Sequence, residues 1–224
     1  MLSIFKKRNK TTDIAITNVE FSVVDTELTG LNLARDQIIA IGCIKMKGKT
    51  IKMGEIFYRT VKPQSEVKKD SIVIHELTPS ELEGCPNITP ILKEFLSFTK
   101  DSIIVGHFIT VDLDFLKKEI YKNLRIKYKP IAVDTLVLYR WLIKKGLLPD
   151  IFLRSTSLRD VASSFNINSE KIHNAIVDAF ITAQIFQRIL SYLFELKITN
   201  LRLLLDIGSL EAWYKEAKDI CYQL

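Results

Sequence analysis

The sequence has few of the residues that would indicate a disulfide-rich, disordered or fibrous protein. It contains three cysteines, Cys43, Cys85 and Cys221, with no C-x-x-C pair, and only eight glycines and six prolines. An odd number of widely spaced cysteines predicts reduced thiols in a cytoplasmic protein and provides no zinc site. With 47% hydrophobic and 26% charged residues, the composition is instead that of a packed globular protein.

The sequence also lacks a hydrophobic run long enough to cross a membrane. Its most apolar region, 189–213, is interrupted by Glu195, Lys197, Arg202 and Asp206, whereas a span requires about 20 mostly apolar residues. The first ten residues are basic, but the apolar segment of a secretory signal does not follow them. We therefore expect a cytoplasmic protein with no membrane partner.

Positive charge is in modest excess, with a formal net charge of +6 and a pI of about 9.1. This is compatible with a polyanionic partner such as nucleic acid, although many basic proteins bind none. The densest basic run spans 117–129 and includes Tyr121 and Tyr128: Lys117, Lys118, Lys122, Arg125, Lys127 and Lys129. It fits a surface that follows a phosphate backbone and stacks on bases. A solvated helix face followed by a basic loop explains the same run and is favoured, because sequence alone does not place the run relative to a site.

Apolar periodicity predicts three strands followed by alternating strands and helices. β-branched and aromatic residues indicate strands over 19–25, 36–45 and 51–61, with a turn at Lys47-Gly48-Lys49 that makes an antiparallel meander. Shorter strands are expected at 102–106 and 130–134. Helices are expected to begin at Thr78-Pro79, at Thr89-Pro90 with Thr89 as N-cap, after Gly106, at Asp134-Thr135, at Ser157 and at Asn174. This order predicts a mixed α/β sheet flanked by helices.

Two carboxylates lie near the end of the first predicted strand, in Asp25-Thr26-Glu27-Leu28-Thr29-Gly30. Alternate residues of a strand face the same side, so Asp25 and Glu27 share one face, and Gly30 allows a turn and a close approach of ligand. Two neighbouring acids repel unless one is protonated or a cation lies between them, and Mg²⁺ is a cation that carboxylates hold. A polar strand end before a turn is the alternative interpretation.

Further acids lie at the starts of two predicted helices. Asp112 and Asp114 follow Gly106-His107, where each could simply favour the helix dipole. Asp178 lies among apolar residues, where an uncompensated buried charge is unfavourable, so it needs a partner such as a metal ion. His173 lies five residues before Asp178 and must be in the loop or first turn if the two side chains converge. A surface loop histidine is the alternative.

Three motifs follow one another along the chain: Asp25-Thr26-Glu27, Gly106-His107 with Asp112, and His173 with Asp178. In this order they resemble the motifs of the DEDDh 3′–5′ exonucleases, the family of the bacterial DNA polymerase III epsilon subunit, ribonuclease T and oligoribonuclease. The resemblance covers residues 20–190 approximately. The shorter stretches Val73–Thr78, Cys85-Pro86 and Val133-Asp134-Thr135 also look similar to family motifs. The family implies a ribonuclease-H-like fold, here a mixed five-stranded sheet flanked by helices.

The resemblance implies a metal-dependent 3′–5′ exonuclease that releases nucleoside 5′-monophosphates. Asp25, Glu27, Asp112 and Asp178 would hold two divalent cations, Mg²⁺ or Mn²⁺, and His173 would be the general base. The candidate substrate-binding residues are Thr26, Leu28, Thr29, Gly30, His75, His107 and Phe108. Leu28 could contact a base or pack within the protein, and His75 could line the nucleotide pocket or stabilise its loop. Single-stranded DNA is favoured over RNA as the substrate, and a DNA polymerase subunit is a candidate partner.

The second motif departs from the family pattern. Residues 107–112 read H-F-I-T-V-D, where the family commonly has H-N-A-x-F-D. This difference affects the expected contacts with the substrate strand, but the metal-binding acid at the end of the motif is kept. A catalytically silent nucleic-acid-binding or polymerase-associated module of the same fold is therefore the alternative function. Endonucleases of the wider ribonuclease-H-like group are a third, but they lack the terminal His-x4-Asp.

The motifs suggest a division of the chain into three parts. We expect a loosely attached basic extension over 1–18 and an exonuclease domain over 19–190. A C-terminal extension of one or two amphipathic helices is expected over 191–224, either packed on the domain or available for docking.

Overall fold

The computed structural model describes residues 14–64, 77–149, 156–169 and 174–211, and its centre is a five-stranded sheet. The strands are β1 (Glu20–Leu28), β2 (Ile38–Lys47), β3 (Thr50–Thr60), β4 (Ile103–Gly106) and β5 (Ala132–Asp134), in the spatial order β3-β2-β1-β4-β5. β1, β2 and β3 pair antiparallel, whereas β4 and β5 continue the sheet parallel to β1. The predicted meander and the predicted mixed sheet are both confirmed.

The helices of the described residues cover both faces of the sheet. They are α1 (Pro79–Glu83), α2 (Ile88–Phe98), α3 (Thr110–Leu124), α4 (Thr135–Lys144), α5 (Leu158–Ser164), α6 (Ala175–Glu195) and α7 (Leu201–Gly208). Thr78, Asp134 and Ser157 cap α1, α4 and α5 through their side chains, as their positions predict.

The predicted start of α2 was wrong by two residues. The helix begins at Ile88 with Asn87 as N-cap, and the Thr89 hydroxyl instead donates a hydrogen bond to Asn123 Oδ1 at 3.2 Å. Pro90 is therefore the third helical residue. That position tolerates proline because the first backbone N–H groups of a helix have no partner within it.

Successive side chains of β1 point alternately into two hydrophobic layers, one on each face of the sheet. Phe21 and Val23 face the layer that contains α4, α5 and α6, whereas Val24 faces the layer of α2 and α3. The Phe21 ring packs edge to face on Phe186 of α6, with ring centroids 5.0 Å apart. The next residues of the same alternation, Asp25 and Glu27, are thereby directed towards α6.

The two ends of the described chain pack against each other. Ile16 is fully buried, and its N–H donates to Thr199 O at 2.8 Å, while the Leu201 N–H donates to Ile14 O at 2.9 Å. Residues 14–18 are therefore fixed, although the sequence predicted a loosely attached segment over 1–18. α6 continues past the expected boundary at 190, and α7 packs on α4 and β5. None of the helices described here has the length and apolar character needed to cross a bilayer.

Candidate active site

Three carboxylates meet at the carboxyl end of β1. Asp25 and Glu27 project from the face of β1 that α6 covers, and Asp178 lies in the first turn of α6. One carboxylate oxygen from each residue lies within 4.8 Å of those from the other two. Glu27 and Asp178 are buried, whereas Asp25 is half-buried. The structure therefore brings together three of the four acids predicted as metal ligands.

Gly42 on β2 allows α6 to come this close. It is the partner of Asp25 in the antiparallel ladder, and a Cβ atom at this position would lie 2.2 Å from the Ala175 carbonyl oxygen. The first turn of α6 therefore rests directly on the backbone of β2. A glycine inside a largely apolar strand is a signal of close backbone approach, but the sequence-based prediction of the site did not use it.

Asp112 reaches the same end of the sheet from the opposite layer. It is buried in the first turn of α3, and its Oδ1 accepts hydrogen bonds from the Thr26 N–H at 2.9 Å and the Thr26 hydroxyl at 2.6 Å. Thr26, predicted as a substrate contact, thus orients Asp112 by using both of its donors. Because Thr26 lies between Asp25 and Glu27 on β1, this contact fixes the position of Asp112 relative to these two acids.

Asp134, at the end of β5, holds the loop that leads into α3. Its carboxylate accepts hydrogen bonds from the N–H groups of Phe108 at 3.0 Å and Ile109 at 3.1 Å, and also from Leu136 at the start of α4. The His107 ring hydrogen bonds the Thr135 hydroxyl at 3.0 Å and Thr156 O at 2.9 Å. Burial lowers the pKa of His107, which favours the neutral imidazole. With both ring nitrogens engaged, His107 supports the loop.

Phe108 has a different environment from His107. Its side chain is 45% exposed, and its backbone adopts a left-handed conformation with φ of 54°. This conformation is uncommon for a bulky residue and is found preferentially at functional sites. Of the predicted substrate contacts in the described residues, Phe108 has the most accessible side chain.

The loop after β1 is fixed by its own hydrogen bonds. The buried Thr29 hydroxyl accepts the Gln37 N–H at 3.0 Å, and Asp36 Oδ2 accepts the Asn32 N–H at 2.8 Å. A Cβ atom on Gly30 would lie 2.5 Å from Asp36 Oδ2. Leu28 is half-buried against the layer of α2 and α3. Thr29 and Gly30 therefore shape this loop, and Leu28 packs at its base.

Burial and mutual repulsion make these carboxyl groups hard to ionise together. The pKa of Glu27 is raised to about 7 by burial and by the nearby charges of Asp178 and Asp112. Burial also raises the pKa of Asp112 to about 7, although the Thr26 hydrogen bonds oppose the shift. The pKa of Asp25 is raised well above its ordinary value by burial and then by the Asp112, Asp178 and Glu27 charges. A positive charge among them would relieve this repulsion.

The donor set fits a hard divalent cation. All the converging ligand atoms are carboxylate oxygens, the type that Mg²⁺ and Mn²⁺ prefer. Within the described part of the chain, the buried Glu27 Oε1 has no hydrogen-bond partner. A buried oxygen of this kind is normally satisfied, and a metal ion would satisfy it here.

We predict that the metal-free protein loses stability from this site as pH rises from about 4 to about 7. The folded-state pKa of Glu27 and Asp112 is about 7, above the ordinary values near 4. Between these values the folded protein binds more protons than the unfolded chain. The free energy of unfolding therefore falls as the pH rises towards 7.

The measurement is the urea midpoint against pH in EDTA, for the wild type and for Glu27→Gln. Near pH 8 the variant should be the more stable protein, because it lacks one of the repelling charges. The difference should disappear below pH 4 and should reverse when Mg²⁺ saturates the site. A constant difference between the two proteins across this range would contradict the assignment.

Two predicted site residues, His75 and His173, lie outside the described residues. His173 directly precedes Asn174, whose side chain caps α6 by accepting the Ile176 N–H at 3.2 Å. Tyr58 on β3 was not predicted as a site residue. Burial raises its pKa, and it is close enough to Asn174 and Glu27 for Asn174 to lower the pKa and for the Glu27 charge to raise it.

Comparisons with known sequences identify the same region. The sequence model of the RNase T exonuclease family matches residues 22–186. The chain is 34% identical to the PolC-type DNA polymerase III of Thermotoga maritima over 194 residues, which are 87% of this chain but 14% of that protein. It is 31% identical to the DNA polymerase III epsilon subunit of Aquifex aeolicus, covering 77% of this chain and 81% of that protein.

Solved structures share the fold at low sequence identity. E. coli Exonuclease I in complex with a dA16 oligonucleotide has a TM-score of 0.67 at 19% identity, covering 79% of this chain and 43% of that one. The cell-death related nuclease CRN-4 has a TM-score of 0.65 at 12% identity, covering 79% of this chain and 65% of that one. The ribonuclease-H-like fold expected from the sequence is thereby confirmed.

Proposed function

Because the chain belongs to the RNase T exonuclease family, we propose that it is a metal-dependent 3′–5′ exonuclease that acts on single-stranded DNA. The observation that supports this most directly is the convergence of Asp25, Glu27 and Asp178 within 4.8 Å. These three acids would be expensive to bury together without a cation. Their retention also argues against the catalytically silent alternative, for which the altered 108–111 stretch was the only support.

Asp25, Glu27, Asp112 and Asp178 are the residues that would hold two divalent cations, Mg²⁺ or Mn²⁺. Bound there, the cations would stabilise the negative charge that develops on the attacking and leaving oxygens of a phosphodiester. The protein positions the ligands from three directions, since Asp25 and Glu27 lie on β1, Asp178 on α6 and Asp112 on α3. Thr26 keeps the Asp112 carboxylate in one orientation.

His173 is the proposed general base. An imidazole with an ordinary pKa near 6.5 is largely neutral at pH 7 and can accept the proton of the attacking water. The water oxygen forms a bond to phosphorus while the bond to the 3′-oxygen of the preceding nucleotide breaks, and that oxygen takes up a proton. The products are a nucleoside 5′-monophosphate and a strand shortened by one residue.

Phe108 and Leu28 are the proposed contacts of the terminal nucleotide. They follow β4 and end β1, neighbouring parallel strands whose carboxyl ends lie at the same edge of the sheet. The exposed Phe108 ring offers a face on which a base can stack, and such stacking contributes about 1–3 kcal/mol per base. Asp134 would keep this ring in place by binding the Phe108 backbone.

Single-stranded DNA is the favoured substrate, and a DNA polymerase subunit is the proposed protein partner. Both proposals draw on relatives named as DNA polymerase III proteins. The chain spans 14% of the length of the PolC-type relative and 81% of the epsilon subunit. The carboxylate geometry concerns the phosphodiester and does not distinguish deoxyribose from ribose.

The test is degradation of 5′-labelled single-stranded DNA and RNA of equal sequence, with Mg²⁺, with Mn²⁺ and with EDTA. We expect a metal-dependent ladder that shortens from the 3′ end and is faster on DNA. A faster ladder on RNA would overturn the DNA assignment alone. If folded protein gives no ladder with either metal, the silent binding module becomes the better description.

A further inference from the structure

A cleft with basic and aromatic walls lies at the far end of α3, away from the carboxylates. It has a volume of about 480 Å³ and is lined by Lys117, Tyr121, Ile126, Lys127, Tyr128 and Lys129. We refer to it as the α3 cleft. Three of the six basic residues of the run that the sequence showed line it, and the proposed active site uses none of them.

The shape of the cleft is fixed by the turn that ends α3. Arg125 terminates the helix in a left-handed conformation with φ of 58°, and its N–H donates to Tyr121 O. The mostly buried Tyr128 ring then packs edge to face on Phe95 of α2, with ring centroids 6.4 Å apart. The lysines on either side of Tyr128, Lys127 and Lys129, are exposed. Lys127 and Lys129 therefore flank a tyrosine whose ring is held in place by its packing on α2.

The surface around the cleft keeps a net positive charge. Residues 117–129 contain six lysines and arginines and one acid, Glu119. Glu119 is buried and pairs with Lys118 at 3.0 Å, and Lys117 pairs with Asp114 at 3.3 Å. After these two pairs, Lys122, Arg125, Lys127 and Lys129 remain as positive charges on the same segment. Such a density of cations favours a polyanion.

The cleft also exposes apolar surface beside these charges. Tyr121 is 50% exposed and Ile126 is 46% exposed, and the Arg125 guanidinium lies 6.0 Å from the centre of the Tyr121 ring. An exposed ring next to lysines and an arginine is the combination that binds single-stranded nucleic acid, with phosphates on the cations and a base on the ring. An acidic protein surface would use the charges but would gain less from the ring.

We propose that the α3 cleft binds the substrate strand several nucleotides upstream of its 3′ end; this rests on the proposed function. Tyr121 follows Asp112 by nine residues on one helix, which separates the two by about 14 Å along the axis and by about half a turn around it. Phosphates of one strand advance by about 3.4 Å in a duplex and further when extended. Several nucleotides are therefore needed for a strand to pass from the carboxylates around the outer side of α3 to the cleft.

The test compares Tyr121→Ala and Lys127→Ala/Lys129→Ala with the wild type on labelled single strands of about twenty and about four nucleotides. Binding is measured by fluorescence anisotropy in EDTA at several salt concentrations, and cleavage is measured with Mg²⁺. The matched control is Lys144→Ala/Lys145→Ala, which removes two exposed lysines at the end of α4.

Each cleft variant should bind the long strand about tenfold more weakly and raise its KM, with kcat unchanged. The short strand should be unaffected. Loss of two phosphate contacts should reduce the slope of log affinity against log salt by about 1.4, at about 0.7 per single-strand phosphate.

Affinity and salt slope equal to those of the Lys144/Lys145 control would overturn the proposal. If the wild type fails to cleave but the cleft variants still weaken binding of the long strand, the proposed catalysis fails and the α3 cleft stands. If cleavage is normal and the variants bind like the control, the cleft proposal alone fails.

Discussion

Replacing Asp178 with asparagine should abolish cleavage and metal binding together, whereas His173→Ala should lose most of the turnover and keep metal binding. Asp178 belongs to the carboxylate group, and the amide keeps its shape but removes the charge that attracts a cation. Metal stabilisation of a transition state amounts to several kcal/mol, so kcat should fall by at least about a thousandfold. Loss of a general base costs about 10²–10⁴-fold, but should leave metal affinity nearly unchanged.

The measurement pairs cleavage rates with the rise in melting temperature that Mg²⁺ or Mn²⁺ produces. Wild type and His173→Ala should both be stabilised by the metal, and Asp178→Asn should not. Asp160→Asn is the matched control, because Asp160 is an exposed acid in the first turn of α5. A normal metal response in Asp178→Asn would remove Asp178 from the ligand set, and full activity in His173→Ala would remove His173 from the mechanism.

Substituting Gly42 with alanine should reduce kcat/KM by about a hundredfold or more, although Gly42 carries no functional group. The new Cβ atom would lie 2.2 Å from Ala175 O and 2.5 Å from Ile176 N. Both are backbone atoms that cannot rotate away, so the first turn of α6 must move by about 1 Å, and Asp178 must move with it. A displacement of this size costs about 10²-fold in well-positioned active sites.

Gly54→Ala is the control for this substitution. Gly54 also lies in the sheet, on β3, but a Cβ atom there would meet nothing within 4 Å. It should retain full activity and the full response to Mg²⁺. Gly42→Ala should lose most of its activity and of its Mg²⁺ response while keeping its secondary structure by circular dichroism. Equal activity in the two variants would show that α6 does not depend on contact with Gly42.

The sequence was most informative where local patterns decide the outcome. Strand alternation placed Asp25 and Glu27 on one face, and the meander at Gly48 and the Asp134 cap follow from short-range turn and capping preferences. Asp178, an acid in an apolar helix, was expected to need a compensating partner such as a metal ion, and the structure places its carboxylate beside those of Asp25 and Glu27. The N-cap of α2 was wrong because Asn87 and Thr89 satisfy the same local preference, and packing of Ile88 into the core distinguishes them.

Contacts between distant residues could not be predicted from one sequence. The pairing of Thr26 with Asp112 joins residues 86 positions apart, and the contact of Gly42 with Ala175 joins β2 to α6. Nothing in the neighbourhood of either residue specifies its partner. For the same reason, neither the contact of Thr26 with Asp112 nor the attachment of residues 14–18 to Thr199 and Leu201 was foreseen.

The docking of α6 on β1 and β2 has a consequence for the protein during its synthesis and folding. The meander of β1, β2 and β3 is local and can form early, but the helix that completes the carboxylate group comes from a distant part of the chain. Long-range contacts of this kind form late because their closure entropy must be overcome first. A chain still emerging from the ribosome, or a fragment cut before residue 174, therefore has Asp25 and Glu27 but no nuclease centre. The group of carboxylates that nuclease activity requires is therefore complete only once the whole domain has folded.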